Sequence, residues 1–189
     1  MRAVCVFCGS SKGENQYWAP AEQLGAELAR RGTTLVYGGG KIGQMGLIAD
    51  SALKQGGKVI GVIPQFLIDW EVAHSGLSEL IVVESMHERK AAMAERSDAF
   101  IAMPGGFGTL EEFFEVLTWL QLGLHTKPCI VLNVNDFYSP LLDFLRSAHA
   151  AGFISNESMA LVTVCDTISD LLSLLEKAGP SSGFQEELT

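Results

Sequence analysis

The chain has 189 residues, 48% of them hydrophobic, with 13 Lys and Arg against 22 Asp and Glu. Length and apolar share fit one domain with a buried core and exclude a disordered chain, and a net charge of −9 argues against nucleic acid polymers or an anionic membrane as partners. Twenty glycines, above the usual share of about 7%, point to backbone that approaches something closely.

Short apolar, β-branched runs alternate along the chain with longer amphipathic ones. Ala3–Phe7 reads as a buried strand, followed by a helix over Tyr17–Arg31 and a strand over Thr34–Tyr37. A helix over Gly46–Gln55 and a strand over Lys58–Ile63 come next, and Gln65 to Ser78 is ambiguous. Then follow strand Glu79–Val83, helix His87–Arg96, strand Ala99–Met103 and helix Thr109–Leu122. Strand Cys129–Asn133, helix Pro140–Ala151, strand Leu161–Cys165 and helix Ile168–Ala178 complete the series. Continuous apolar strands interleaved with helices predict an α/β fold, a doubly wound, Rossmann-like parallel sheet of about seven strands. The single domain is expected over residues 1–178, with a disordered tail at 179–189 (GPSSGFQEELT).

Four cysteines (Cys5, Cys8, Cys129, Cys165) are too few for a disulfide framework, and Cys5-x-x-Cys8 has neither a second CxxC nor a nearby His. They read as buried hydrophobes in a reducing compartment, with no metal site expected. No apolar run reaches the ~18–20 residues of a membrane span, and the N-terminal run is too short for a signal peptide. The expected location is the cytoplasm.

In this fold ligands sit beyond the carboxyl ends of the strands, so the residues after each strand carry the functional reading. Gly38-Gly39-Gly40-Lys41-Ile42-Gly43 fits G-x-G-x-x-G, but no acidic residue follows the next strand, and the Walker pattern fails at Gln44-Met45. Either a tight turn or a nucleotide pocket explains it. Pro104-Gly105-Gly106-Phe107-Gly108-Thr109 opens into a helix whose N-terminus suits a phosphate. Thr109-x-x-Glu112 also reads as a capping box, with Thr109 as N-cap, which leaves the glycines and the run Glu111, Glu112, Glu115 unexplained. After the fourth strand, Arg89 and Lys90 stand at a helix N-terminus, where the dipole disfavours cations. An anionic partner accounts for that, as does a solvated face screened by Glu84 and Glu88. If the fourth and fifth strands adjoin, Arg89, Lys90, the glycine loop and Glu112 surround one pocket. That pocket suits a nucleoside monophosphate.

These residues resemble the LOG-type cytokinin-activating phosphoribohydrolases, a family sometimes mislabelled as lysine decarboxylases. The likeness rests on Met86-His87-x-Arg89-Lys90, on Pro104-Gly105-Gly106-Phe107-Gly108-Thr109-x-x-Glu112, on the Gly38-Gly39-Gly40 loop and on Thr118-Trp119-x-Gln121-Leu122-Gly123. The resemblance implies hydrolysis of the N-glycosidic bond of an adenosine 5′-monophosphate, N6-modified or plain, to free base and ribose 5-phosphate, with no cofactor. By the family pattern Arg89 and Glu112 are catalytic. Binding falls to Gly39, Gly40, Glu71, Met86, Lys90, Gly105, Gly106, Phe107, Gly108, Thr109, Leu110, Glu111 and Thr118. It further implies a homodimer, for which the apolar run Phe113-Phe114-x-Val116-Leu117 offers contact surface.

That chemistry agrees with the residue types. Glycosidic cleavage builds positive charge on the ribose, which a carboxylate such as Glu112 stabilises while holding hydroxyls or taking a proton from water. Arg89 acts electrostatically, because a guanidinium keeps its proton. A non-catalytic nucleotide carrier of the same fold is the alternative. A pyridoxal phosphate decarboxylase has only Lys41 and Lys90 as pocket lysines, neither with an acidic partner arranged for the ring nitrogen.

Overall fold

The first strand, β1 (Ala3–Phe7), sends Val4 and Val6 to one buried face and Cys5 and Phe7 to the other. A strand apolar on both faces needs cover on both, which a chain provides by winding helices to either side of a parallel sheet. The computed structural model describes residues 1–68 and 73–178. It joins β1 to β2 (Thr34–Tyr37), β3 (Val59–Pro64), β4 (Glu79–Val83), β5 (Phe100–Ala102), β6 (Cys129–Leu132) and β7 (Val162–Cys165). The spatial order is β4-β3-β2-β1-β5-β6-β7, and every pairing is parallel.

The α-helices among the described residues are, in chain order, α1 (Trp18–Arg30), α2 (Gly43–Lys54), α3 (Met86–Glu95), α4 (Phe107–Gln121), α5 (Ser139–Ala150), the short α6 (Asn156–Met159) and α7 (Ile168–Ala178). Leu24, Leu28, Ile48, Leu171 and Leu175 from α1, α2 and α7 pack with Val4, Val6, Ile101 and Ile130 on one face. Met93, Phe113 and Val116 from α3 and α4 pack with Cys5, Phe7, Phe100 and Val131 on the other. The doubly wound, single-domain α/β architecture is therefore as expected, with element ends moved by a few residues. Phe113 and Val116, expected as contact surface for a second chain, are buried in this protein's own core, so that face of α4 is spent.

One expectation fails. The fourth and fifth strands do not adjoin: β4 is an edge strand, and β3, β2 and β1 lie between it and β5. The chain from β4 to β5 crosses back over the sheet through α3, which packs on β3. Because β1 pairs with β2 on one side and β5 on the other, connections leave it in opposite directions, and a crevice opens at their carboxyl ends. Glu71 and the tail at 179–189 lie outside the described residues.

Candidate active site

The loop after β5 runs straight into α4, whose N-cap is Gly106 with no side-chain hydrogen bond to the helix. The capping-box reading of Thr109-x-x-Glu112 is therefore wrong. The helix begins at Phe107, so Thr109 lies within the first turn and Glu112 in the second. First-turn N–H groups of a helix have no intrahelical partner, and the N-cap Gly106 has no side chain to take their place, which suits them to an anion. Glycine is required for this close packing: a methyl group on Gly105 would collide with Thr109 Oγ1 and lie 3.0 Å from Gly9 N. The side-chain cap of this region is instead Ser85 on α3, with Glu88 reaching back toward the preceding residue. Ser85 Oγ accepts from Glu88 N at 3.1 Å, and Glu88 Oε2 accepts from Glu84 N at 3.1 Å.

That cap sets the start of α3 and turns Arg89 inward. Arg89 is 4% exposed, which overturns the reading of a solvated cationic face. Its Nε donates to Val62 O at 3.1 Å and its Nη2 to Gly38 O at 2.9 Å, at the carboxyl ends of β3 and β2. A side chain on Gly38 would collide with Nη2, so this glycine makes room for the guanidinium. Arg89 Nη1 stands 4.0 Å from Glu112 Oε1, and Glu112 is 8% exposed. Arginine and carboxylate thus face each other from two helices across the switch-point crevice, and burial strengthens the field each exerts on a ligand between them.

The two side chains line a cavity of about 160 Å³ together with Met86, Gly106, Gly108 and Thr109 of the expected set. Gly38, Met45, Leu67 and the β1 end from Val6 to Ser10 complete its walls. Cys8 is there as a neutral thiol, since burial and the Glu112 carboxylate both push its pKa far up.

Other expected residues lie elsewhere. Gly39 and Gly40 form the turn beside Gly38, where Gly39 O accepts from His74 N and Gly40 O from the Tyr37 hydroxyl. Lys90 Nζ is held by Glu111 at 2.5 Å and Glu115 at 2.7 Å, outside the cavity lining. Burial opposes its charge, but the two carboxylates more than offset this and hold its pKa above the ordinary lysine range. Leu110 packs toward the core, and Phe107 is 95% exposed beside the loop. Thr118 is exposed, with its hydroxyl donating to Phe114 O at 2.7 Å. Gly9 and Ser10 were missed, although they follow a strand as directly as the glycine loops do. Gly9 N donates to Pro104 O at 3.2 Å and so ties the β1 loop to the β5 loop.

Comparison with known proteins agrees with this arrangement. A family model described as "Possible lysine decarboxylase" matches residues 45–175. A cytokinin riboside 5′-monophosphate phosphoribohydrolase from Rhodococcoides fascians is 51% identical, over 92% of this chain and 89% of its own. The rice protein named cytokinin riboside 5′-monophosphate phosphoribohydrolase LOG (Oryza sativa subsp. japonica) is 48% identical, over 95% of this chain and 74% of its own. Among solved structures, a molybdenum cofactor binding protein from Rippkaea orientalis superposes with a TM-score of 0.71, covering 93% of this chain and 96% of its own. At 23% identity that likeness concerns the fold alone. With about half of its residues shared over nearly its whole length, the chain belongs to the LOG family of phosphoribohydrolases, the family whose model bears the lysine decarboxylase description.

Proposed function

We propose that this protein hydrolyses the N-glycosidic bond of adenosine 5′-monophosphate, plain or N6-modified, to free base and ribose 5-phosphate. The observation that carries the reading is the buried Arg89–Glu112 pair beside a helix N-terminus left without a side-chain cap. The relatives at about half identity, named for this reaction, support it. The 5′-phosphate would take the amides of the Gly106–Thr109 turn, and the ribose would lie against Glu112. As the C1′–N9 bond breaks, its electron pair leaves with the purine, and positive charge grows on C1′ and the ring oxygen. Glu112 stabilises that charge and takes the proton of the water that bonds to C1′, while the departing purine takes a proton from solvent. Arg89, fixed by two backbone carbonyls, supplies a field and no proton.

Decarboxylation fits the lysines poorly. Lys41 is exposed, and Lys90 is occupied by two carboxylates outside the cavity, so neither is arranged as a Schiff-base lysine. We further infer a homodimer, supported by apolar surface at Phe107, Leu122, Leu80 and Val82. A cytoplasmic location is supported by four free, buried cysteines, and no helix among the described residues is long and apolar enough to cross a membrane.

The test is incubation with adenosine monophosphate and its isopentenyl derivative, with chromatography of the products. Free base and ribose 5-phosphate are expected. Nucleotide binding without base release would favour the carrier alternative.

A further inference from the structure

Two buried polar residues stand apart from the chemistry described above. His125 and Lys127, in the loop between α4 and β6, are 2% and 3% exposed. Lysine is almost never buried without a partner, because its ammonium gives up water there. Lys127 Nζ donates to Ala94 O at 2.8 Å, at the C-terminal end of α3, where free carbonyls and the helix dipole favour a cation. His125 Nε2 lies 2.9 Å from Val116 O on α4, and Lys127 N donates to His125 Nδ1 at 3.1 Å. A carbonyl only accepts and an amide N–H only donates, so the two bonds together require the neutral ring with its proton on Nε2. Burial lowers the His125 pKa, in agreement with that form. The ring also packs against Phe100 of β5, with centroids 5.2 Å apart. One short loop thus holds two helices.

Those helices are the ones that carry Arg89 and Glu112, and they rest on different strands. α3 packs on β4 and β3, α4 on β1, β5 and β6, and β2 lies in between. Near the site Lys90 on α3 pairs with Glu111 and Glu115 on α4. That link is partly open to water, with the Glu111 side chain 53% exposed, so it is screened. A single link lets two helices pivot about it, whereas a second, buried one fixes their mutual tilt. Val116 is one turn on from Glu112, and Ala94 lies at the end of the helix that carries Arg89. A tilt at the loop is therefore felt where those two side chains stand 4.0 Å apart.

We propose that His125 and Lys127 form a positioning clasp for the reaction: they fix the tilt of α3 against α4, and with it the approach of Arg89 to Glu112. The inference rests on the hydrolase reading above. Neither residue is among the described lining of the cavity, so both act through the catalytic pair. A shift of about 1 Å in a reacting constellation costs on the order of 10²-fold in rate, even when its cause is far from the chemistry. The amides at the start of α4, where the phosphate is proposed to bind, depend less on the clasp. They are held by the tie from Gly9 N to Pro104 O between the β1 and β5 loops.

The test uses Lys127→Met, which keeps the stem and removes the donor, and His125→Phe, which keeps a ring and removes both bonds. Leu171→Ala, in the core on the other face of the sheet, is the destabilised control. All are assayed with the adenosine monophosphates at a temperature where circular dichroism shows them folded. Each clasp variant should lose about tenfold in kcat with KM within threefold of wild type, while the control keeps kcat within twofold. Spin labels at His87→Cys and Gln121→Cys, both exposed, read the spacing of α3 and α4, diluted with unlabelled chain so that an assembly carries one pair. The distance distribution should broaden or shift in the clasp variants and stay unchanged in Leu171→Ala. An unchanged kcat in a folded clasp variant, a loss carried by KM, an equal loss in the control, or an unmoved distance overturns the proposal. If one clasp variant does not fold, the other decides; if neither folds, both residues are structural and the proposal falls. If the wild type hydrolyses no nucleotide, the hydrolase reading falls, and the distances alone decide whether the clasp sets the helix tilt.

Discussion

Two helices enter the site with the same local pattern, a hydroxyl residue followed three positions later by glutamate, and they use it in opposite ways. On α3, Ser85 caps the helix by accepting from Glu88 N, and the Glu88 carboxylate reaches back to Glu84 N. On α4, Thr109 and Glu112 are already inside the helix, because Gly105 and Gly106 allow it to start at Phe107. The difference teaches that the residues before the pattern decide its use. Serine after a β-strand stops the helix and caps it, whereas glycines let the backbone enter helical geometry early. The first outcome fixes Arg89 in place. The second leaves amides uncapped and turns Glu112 toward Arg89.

The sharpest way to break this contrast is at Glu112. Glu112→Gln keeps the shape of α4 but removes the charge, so base release should fall by about 10²–10⁴-fold while nucleotide affinity changes little, measured by chromatography and calorimetry. Glutamine with near wild-type turnover would return Glu112 to a structural role.

Next in size is Gly105→Ala. Its methyl group collides with Thr109 Oγ1, so the loop must shift, at a cost of about 1–3 kcal/mol in chemical denaturation and with weakened nucleotide binding. Full affinity in this variant would show that the loop geometry is not tuned to a ligand.

Smaller effects separate the two helices directly. Ser85→Ala should cost about 1 kcal/mol of stability through the lost cap. Thr109→Val has no cap to lose, so its stability cost should stay below that of Ser85→Ala, and its effect should appear as a raised KM. Equal stability losses at the two positions would restore the capping-box reading of Thr109. Smallest of all, Gln44→Leu removes a buried acceptor that has no partner, so its unfolding midpoint should stay level or rise.

Much of the fold was legible because a buried parallel strand is apolar on both faces and a surface helix on one. Ala3–Phe7, Thr34–Tyr37 and Ile168–Ala178 carry such patterns, and those bounds agree with the structure; the bounds of Glu79–Val83 agree too, but its apolar run lies on the sheet edge with Leu80 and Val82 exposed. Arg89 drew notice as a cation at a helix N-terminus, but its burial was not legible. That depends on Val62 O and Gly38 O, which come from strands far away in the chain. Gln44 attracted attention only for spoiling a Walker pattern, since a missing hydrogen bond is a property of packed surroundings.

The sequence by itself determined which runs are strands and helices, and that glycine loops and charged residues gather after strands, because periodicity and turn chemistry are local. Only the tertiary structure decided the strand order that puts β4 at the edge and β5 beside β1, which sends α3 back across the sheet to bring Arg89 within 4.0 Å of Glu112. Only packing decided that α4 starts uncapped at Phe107 while α3 starts capped at Ser85. Helix starts follow from the space the neighbouring loops leave, and here the β1 loop at Gly9 meets the β5 loop at Gly105.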